Sequence, residues 1–146
     1  MKHWLRWAPI GALALMAVVN IGRGSVHAFS PDGGSHSIAG LDLTHDRATI
    51  LSLFATLGLS QITKGLFELW VVARQRSLVT LFLAMQALDT GLAMANLYLW
   101  RPFPVTVPGQ PFNIALLVLQ LAALAVAWRF GEPEDRRSRP AGALAP

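Results

Sequence analysis

The chain has 146 residues, of which 53% are hydrophobic and 14% are charged. Because an average soluble domain carries about 25% charged residues, this composition excludes an ordinary water-soluble fold and indicates one membrane domain. Cysteine is absent, which excludes disulfides, thiolate nucleophiles and sulfur-ligated metals. The net charge of +4 does not indicate a nucleic-acid partner, because the basic residues flank apolar segments as they do in membrane proteins.

Four apolar blocks follow one another along the chain, separated by short polar stretches. Each block is long enough to cross most or all of a hydrocarbon layer of about 30 Å at 1.5 Å per residue. The blocks lack the alternation of barrel strands, so helices must satisfy their backbone amides in lipid. The sequence therefore predicts an all-α, integral membrane four-helix bundle in residues 1–131, with helices at about 5–25, 48–73, 78–100 and 112–130.

Turn-forming residues separate these predicted helices. The segment Pro31-Asp32-Gly33-Gly34 interrupts the first helix and begins an outer loop of roughly 20 residues. Residues 74–77 make a tight turn, and a proline-rich segment separates the third helix from the fourth. Residues 132–146 are charged and then rich in Pro, Ala and Gly, which predicts a disordered cytoplasmic tail.

The distribution of Lys and Arg predicts the orientation of the helices. Eight basic residues flank one side of the predicted bundle and three flank the other. The eight are Lys2, Arg6, Arg74, Arg76, Arg129, Arg136, Arg137 and Arg139, and the three are Arg23, Arg47 and Arg101. Since cytoplasmic flanks are enriched in Lys and Arg, we expect a multi-pass protein of a bacterial inner membrane with both termini in the cytoplasm. All five tryptophans fall near block ends, as interfacial indoles do.

The first block also has features of a cleaved signal peptide. It has a basic start, an apolar centre and the small-residue segment Val26-His27-Ala28. Cleavage there would leave three helices. Arg23 and a polar, glycine-rich stretch separate the apolar run from that segment, which is long for a cleavage region and favours a retained helix.

Polar residues recur on one face of each of the two middle helices. Gln61, Lys64 and Glu68 share a face of the second helix, and Gln86, Asp89 and Asn96 share a face of the third. In an antiparallel hairpin that closes at residues 74–77, the two faces would meet. We name these six residues the polar seam.

An acid at the depth of Asp89 must be paired, protonated or next to water, since an ionised group there costs about 2.5–3.5 kcal/mol. We expect Lys64 to pair with Asp89, Gln61 and Gln86 to complete the hydrogen bonds, and Glu68 to contact Lys64 or Arg74.

The polar seam admits two interpretations. It could fix which helix faces meet, or it could bind a small amphipathic molecule or a partner helix. The alternative hypothesis is that the protein is an accessory subunit of a larger membrane complex. Neither the binding hypothesis nor the subunit hypothesis requires catalysis or names a cofactor.

Histidines and acids are concentrated in the outer loop. His27, His36 and His45 recur every nine residues among several aspartates, a set of side chains that could bind zinc and support a metal-dependent membrane enzyme. Nine-residue spacing matches no ligand signature, so solvated loop histidines are the favoured interpretation. Thr44 or Asp46 is expected to cap the second helix.

Smaller polar and glycine features occur in the first helix. Asn20 and Arg23 are expected near its outer end, where Arg23 reaches the headgroups or turns toward Asn96 or Asp46. The glycines of the apolar blocks are expected at close contacts between helices.

The order of these features resembles small bacterial four-helix membrane proteins of the DoxX-like group. The resemblance rests on a first helix ending in NIGRGSVHAFSPDGG, a second helix opened by Arg47 and containing LGLSQITKGLFEL, and the short Arg-bearing turn before the third helix. It covers most of the chain in layout and involves no invariant motif, and the polar SQITKGLFE stretch departs from it. It implies a compact bundle with a loose link to membrane redox or thiol functions, and it assigns no residue a role.

Overall fold

The computed structural model describes residues 4–102 and 108–130 and contains four long helices. They are α1 (Ala8–Phe29), α2 (Arg47–Arg74), α3 (Val79–Ala95) and α4 (Gln110–Phe130), and no strand occurs within the described ranges. All four spans are long and apolar enough to cross a membrane, the third as the continuous stretch Arg76–Trp100. The predicted all-α architecture with four spanning helices is therefore confirmed. The tail predicted at 132–146 lies outside the described residues.

The first helix begins and ends later in the chain than the sequence indicated. It was expected to end near residue 25, but α1 continues to Phe29, which shortens the outer loop to residues 30–46. Gly24 and Ser25 are poor helix formers, yet Gly24 is packed against α2 and the Ser25 hydroxyl donates to the Ile21 carbonyl at 2.8 Å. Tertiary packing thus outweighs local propensity. The segment Val26-His27-Ala28 lies in the last helical turns of α1.

The third span changes its winding before it ends. After Ala95 the chain forms a wide π turn over Asn96–Trp100, closed by a 2.8 Å hydrogen bond from the Arg101 amide to the Asn96 carbonyl. A π turn rotates the side chains beyond it relative to a regular helix. Asn96 is the first residue of this turn, so the change of winding acts on the residues that follow it.

The helices are arranged around α1. It packs extensively along α2 and also contacts α3 and α4, while α3 packs along α4. Helices α2 and α3 touch each other at few points although a tight turn joins them. The bundle thus consists of two antiparallel pairs, and the side between α2 and α3 is the loosely packed one.

Glycines bring α1 and α2 close together. A Cβ added at Gly24 would lie 2.5 Å from the Gly58 carbonyl oxygen, and one added at Gly65 would lie 2.8 Å from the Ala17 carbonyl oxygen. Contacts this short are possible only without side chains, as the small-residue rule for membrane helices requires. The predicted close-packing role is confirmed at Gly24, Gly58 and Gly65. It is wrong at Gly11, Gly22 and Gly91, where an added Cβ would have none of the described atoms within 4 Å.

The apolar core lies toward the end of the bundle that carries the α2–α3 turn. It is formed by Leu13, Val71, Val79, Leu83, Ala123 and Ala127. Large apolar side chains elsewhere point outward, including Val18, Leu88 and Leu99, as expected for helices whose solvent is lipid.

Candidate functional site: polar groups within the membrane span

The predicted ion pair between α2 and α3 is present. The Lys64 ammonium donates a hydrogen bond to Asp89 Oδ2, and this contact bridges the loosely packed side of the bundle. The pair lies outside the core, because the Lys64 side chain is 30% exposed and the Asp89 side chain 67%. Asp89 is ten residues into α3, about 15 Å along the helix axis. A charged pair therefore stands at mid-span on the outer surface.

Glu68 does not belong to the same contact. It was expected to meet Lys64 or Arg74, but its carboxylate accepts a 2.8 Å hydrogen bond from the Asn20 side-chain amide of α1 and is 1% exposed. The reason is the close α1–α2 packing, which turns this face of α2 toward α1 and away from α3. Asn20 itself lies near the middle of α1, because that helix extends to Phe29.

The remaining members of the polar seam are dispersed. Gln86 is buried, Gln61 is half-buried, and the side-chain oxygen of each has no hydrogen-bond partner within the described ranges. We expected Gln61 and Gln86 to complete the hydrogen bonding of Asp89, and this expectation is wrong. Asn96 is exposed in the π turn. The seam thus reduces to the Lys64–Asp89 pair at the surface, while Glu68 and Gln86 face inward.

A different polar group occupies the interior. Asn20, Glu68, Gln86 and Gln120 are each at least nine-tenths buried, and each comes from a different helix. We name these four residues the polar layer. Measured along the helices from the ends at the α2–α3 turn, they fall between about 9 and 18 Å into a span of roughly 30 Å.

Direct contacts tie the polar layer to α1. The Gln120 amide nitrogen lies 3.4 Å from the Met16 sulfur, a weak acceptor, and Met16 is one turn below Asn20 on the same face of α1. The oxygens of Gln86 and Gln120 are buried and have no donor among the described groups.

The sequence interpretation did not identify Gln120 as a site residue. The signal was present, because Gln120 is the one polar residue in the apolar run from Ile114 to Ala127. An amide in the middle of such a run has to face the bundle interior or another helix. Asn20 was considered only as an outer-end residue, because the end of α1 was placed too early.

The outward face of α2 is lined by small hydroxyl residues. Exposed positions on that face are Ser52, Thr56, Ser60 and Thr63. The hydroxyls of Thr56, Ser60 and Thr63 each donate to the backbone carbonyl one turn earlier, so they need no further partner. The stripe leads into a shallow open groove on the surface of α2 itself, lined by Thr63, Leu66, Phe67 and Trp70.

The outer-loop histidines are held separately by the fold. His27 Nδ1 lies 2.7 Å from the Gly33 carbonyl and its ring meets Phe54 edge-on, while His36 Nδ1 lies 3.0 Å from the Leu41 carbonyl. His45 is exposed. Among the described residues, no three His, Asp or Glu side chains are grouped as metal ligands would be.

The loop aspartates instead hold turns together. Asp32 accepts hydrogen bonds from the backbone amides of Ser37 and Gly34, which keep the pKa of its carboxyl far below the ordinary value. Asp42 accepts hydrogen bonds from the backbone amide and the hydroxyl of Thr44. Both lower the pKa of its carboxyl, and the amide has the larger effect. Asp46, one of the two residues expected to cap α2, occupies the N-cap position. Its φ is 53°, and its side chain makes no capping hydrogen bond. Thr44 is instead bonded to Asp42.

Two arginines anchor the ends of the bundle. Arg23 donates to the Asn113 side-chain oxygen at 3.0 Å and lies 5.9 Å from the Phe112 ring centre, so it turns toward α4 and contacts neither Asn96 nor Asp46. Arg76 stacks over the Trp7 ring at 4.9 Å at the opposite end. These contacts fix α1 against its neighbours at both ends.

Comparison of the chain with protein-family models, curated proteins and solved structures gave no match.

Proposed function

We propose that this protein is a subunit of a membrane complex. It binds a partner transmembrane helix on the lipid-facing surface of α2 and α3. The observation that carries the proposal is the Lys64–Asp89 pair, which is exposed at mid-span where the surrounding solvent is hydrocarbon. An uncovered charge there costs about 2.5–3.5 kcal/mol on insertion scales. A partner helix that covers the pair with a polar side chain lowers this cost.

The neighbouring surface suits a helix. The stripe of Ser52, Thr56, Ser60 and Thr63 has small side chains whose hydroxyls are largely satisfied within α2. Small residues let two helix backbones approach closely in lipid. The groove at Phe67 and Trp70 continues this surface toward the α2–α3 turn and accepts larger apolar side chains.

A small amphipathic ligand is the second candidate for the same surface. The open groove and the adjacent ion pair would accept an apolar body and a polar head. A helix is favoured because the exposed hydroxyl stripe runs from Ser52 to Thr63, about 17 Å along α2, which a second helix can follow. A metal-dependent enzyme in the outer loop has less support, since the described histidines are separated.

The cellular setting belongs to the same proposal. We place the protein in a bacterial inner membrane with both termini in the cytoplasm, on the basis of the excess of Lys and Arg at that end. The DoxX-like resemblance agrees with the four-helix layout and adds no residue role to the assembly function.

Site-specific photocross-linking in the native membrane tests the assembly role. A photoreactive amino acid at Thr63 should give one discrete protein adduct, and the same amino acid at Val118, exposed on α4, should give lipid adducts alone. The Thr63 adduct should disappear in the double variant Lys64→Met, Asp89→Leu, which removes the charges and keeps the apolar surface.

Three outcomes contradict the partner-helix proposal. Lipid adducts at both positions would mean that nothing docks on α2. An adduct that survives loss of the ion pair would mean that the charges play no part. A small mass increase at Thr63 would identify the amphipathic ligand instead.

A further inference from the structure

The polar layer has a property that the assembly role does not use. It places one buried polar side chain from each of the four helices at a similar depth, three of them amides and one a carboxyl. Buried amides in native proteins almost always have hydrogen-bond partners. Here the oxygens of Gln86 and Gln120 have none among the described groups.

Donors and acceptors in the layer do not balance. The Asn20 amide nitrogen donates to Glu68, and the Gln120 amide nitrogen faces the Met16 sulfur. Two glutamine oxygens and the carboxylate are left with more lone pairs than the described donors can fill. These oxygens can be satisfied by a guest that carries a positive charge or hydrogen-bond donors.

The charges do not balance either. The charged groups that act on Glu68 are Lys64, one turn away on α2, and Asp89 on α3. Lys64 is already engaged by Asp89 at the outer surface. With Glu68 ionised, two carboxylates and one ammonium leave a single net negative charge, which either a proton or a bound cation has to neutralise in a low-dielectric interior.

We propose that the polar layer binds one monovalent metal cation, with sodium as the fitting ion, and that Glu68 is its charged ligand. Carboxylate and amide oxygens are the ligands that hard cations prefer. A monovalent ion brings the local charge to zero, whereas a divalent ion would leave a buried positive charge. The amide oxygens of Gln86 and Gln120 supply neutral ligands from α3 and α4.

This site is independent of the docking surface. Its proposed ligands are the buried residues Glu68 of α2, Gln86 of α3 and Gln120 of α4, while the proposed partner lies on the lipid-facing side of α2 and α3. Sodium binding would tie the two antiparallel helix pairs together, because Asn20 and Glu68 belong to one pair and Gln86 and Gln120 to the other.

Thermal unfolding of the purified full chain in detergent tests the proposal. The melting temperature should rise with sodium chloride relative to choline chloride at equal ionic strength, and the rise should grow with the logarithm of sodium concentration above the dissociation constant. Glu68→Gln keeps an acceptor for Asn20 and removes the charge, so it should abolish the sodium-dependent rise. Gln120→Met should weaken sodium binding at least tenfold.

Asp46→Asn is the matched control. It removes one carboxylate at an exposed position that makes no side-chain capping bond, so its sodium response should equal that of the wild type. If Glu68→Gln fails to fold, binding of radioactive sodium to the wild type and to Gln120→Met provides the same comparison.

The proposal is overturned if the wild type shows no difference between sodium and choline. It is also overturned if acid stabilises the wild type at every sodium concentration and sodium never does, which would mean that Glu68 takes a proton instead of a metal cation. An equal sodium response in Glu68→Gln and the wild type would place the ion elsewhere.

Discussion

Asn20 and Glu68 lie 48 positions apart in sequence, yet the amide nitrogen of Asn20 donates to the Glu68 carboxylate at 2.8 Å. Helical side chains lean toward the N-terminus of their own helix, so in the antiparallel pair α1–α2 these two lean toward each other. This hydrogen bond holds the Glu68 side chain in the interior of the bundle, and Lys64 forms its ion pair with Asp89 instead.

Replacing Asn20 by Leu should destabilise the protein strongly. The change removes the donor to a buried carboxylate, and a hydrogen bond to a charged group contributes about 1.5–3 kcal/mol. The measurement is the unfolding free energy in detergent under denaturant. Val18→Ala, at an exposed position on the same helix, should leave stability nearly unchanged. Equal stability of Asn20→Leu and the wild type would mean that the bond contributes nothing.

Replacing Gly58 by Ala should separate α1 from α2. The new Cβ would lie 2.5 Å from the Gly24 carbonyl oxygen and 2.6 Å from the Ala28 amide nitrogen, and these are backbone atoms that cannot rotate away. Overpacking of this kind costs about 1–3 kcal/mol. The unfolding free energy of the purified protein measures it.

Gly91→Ala is the control for the glycine prediction. The substitution is the same, but an added Cβ at Gly91 has no atom of the described residues within 4 Å. Because alanine is the better helix former, stability should stay level or rise slightly. Equal losses at Gly58 and Gly91 would show that backbone propensity, and not the close approach of α1 and α2, governs both positions.

The architecture could be predicted from the sequence because bilayer thickness and backbone hydrogen bonding leave few choices. Four apolar blocks had to become four helices, and the Lys64–Asp89 contact followed from the register of the α2–α3 hairpin. Both depend on information local to one helix or one tight turn.

The inward-facing groups could not be assigned in the same way. Spacing shows that Lys64 and Glu68 share a face of α2, but that face is wide enough to contact two neighbours. Close packing at Gly24, Gly58 and Gly65 brings α1 against α2, so Glu68 contacts α1 and not α3. They join residues distant in sequence, and no pattern within one helix reveals them.

Removing one partner of the Lys64–Asp89 pair should be worse than removing both. Lys64→Met leaves an uncompensated carboxylate at mid-span, and Asp89→Leu leaves an uncompensated ammonium. The double variant should recover stability, giving a favourable coupling energy of about 0.5–3 kcal/mol in a double-mutant cycle in lipid nanodiscs. Lys64→Met combined with Asp46→Asn should be additive. Additivity in the 64–89 cycle would mean that the pair is not coupled.

The turn at Asp32 should loosen in acid. Hydrogen bonds from the Ser37 and Gly34 amides lower the pKa of Asp32, so its ionised form stabilises the folded turn above the unfolded aspartate pKa of about 3.9. That contribution is lost as pH falls through the lower folded pKa.

Proton NMR of the amides of Gly34 and Ser37 measures the titration of Asp32. Both resonances should shift together with a midpoint well below the ordinary aspartate value, and Asp32→Ala should abolish the shift. A midpoint at the ordinary value would show that the turn does not favour the ionised carboxylate.

Both termini should prove to be cytoplasmic. The chain has no cysteine, so single cysteines introduced at exposed positions report the side of the membrane without further substitutions. His36→Cys lies in the outer loop and Gln75→Cys in the turn between α2 and α3, and both positions are exposed. A membrane-impermeant maleimide should label His36→Cys in intact spheroplasts and Gln75→Cys only after lysis. Because four spans place Gln75 on the same side as both ends of the chain, the reverse labelling would invert the whole topology and contradict the orientation inferred from Lys and Arg.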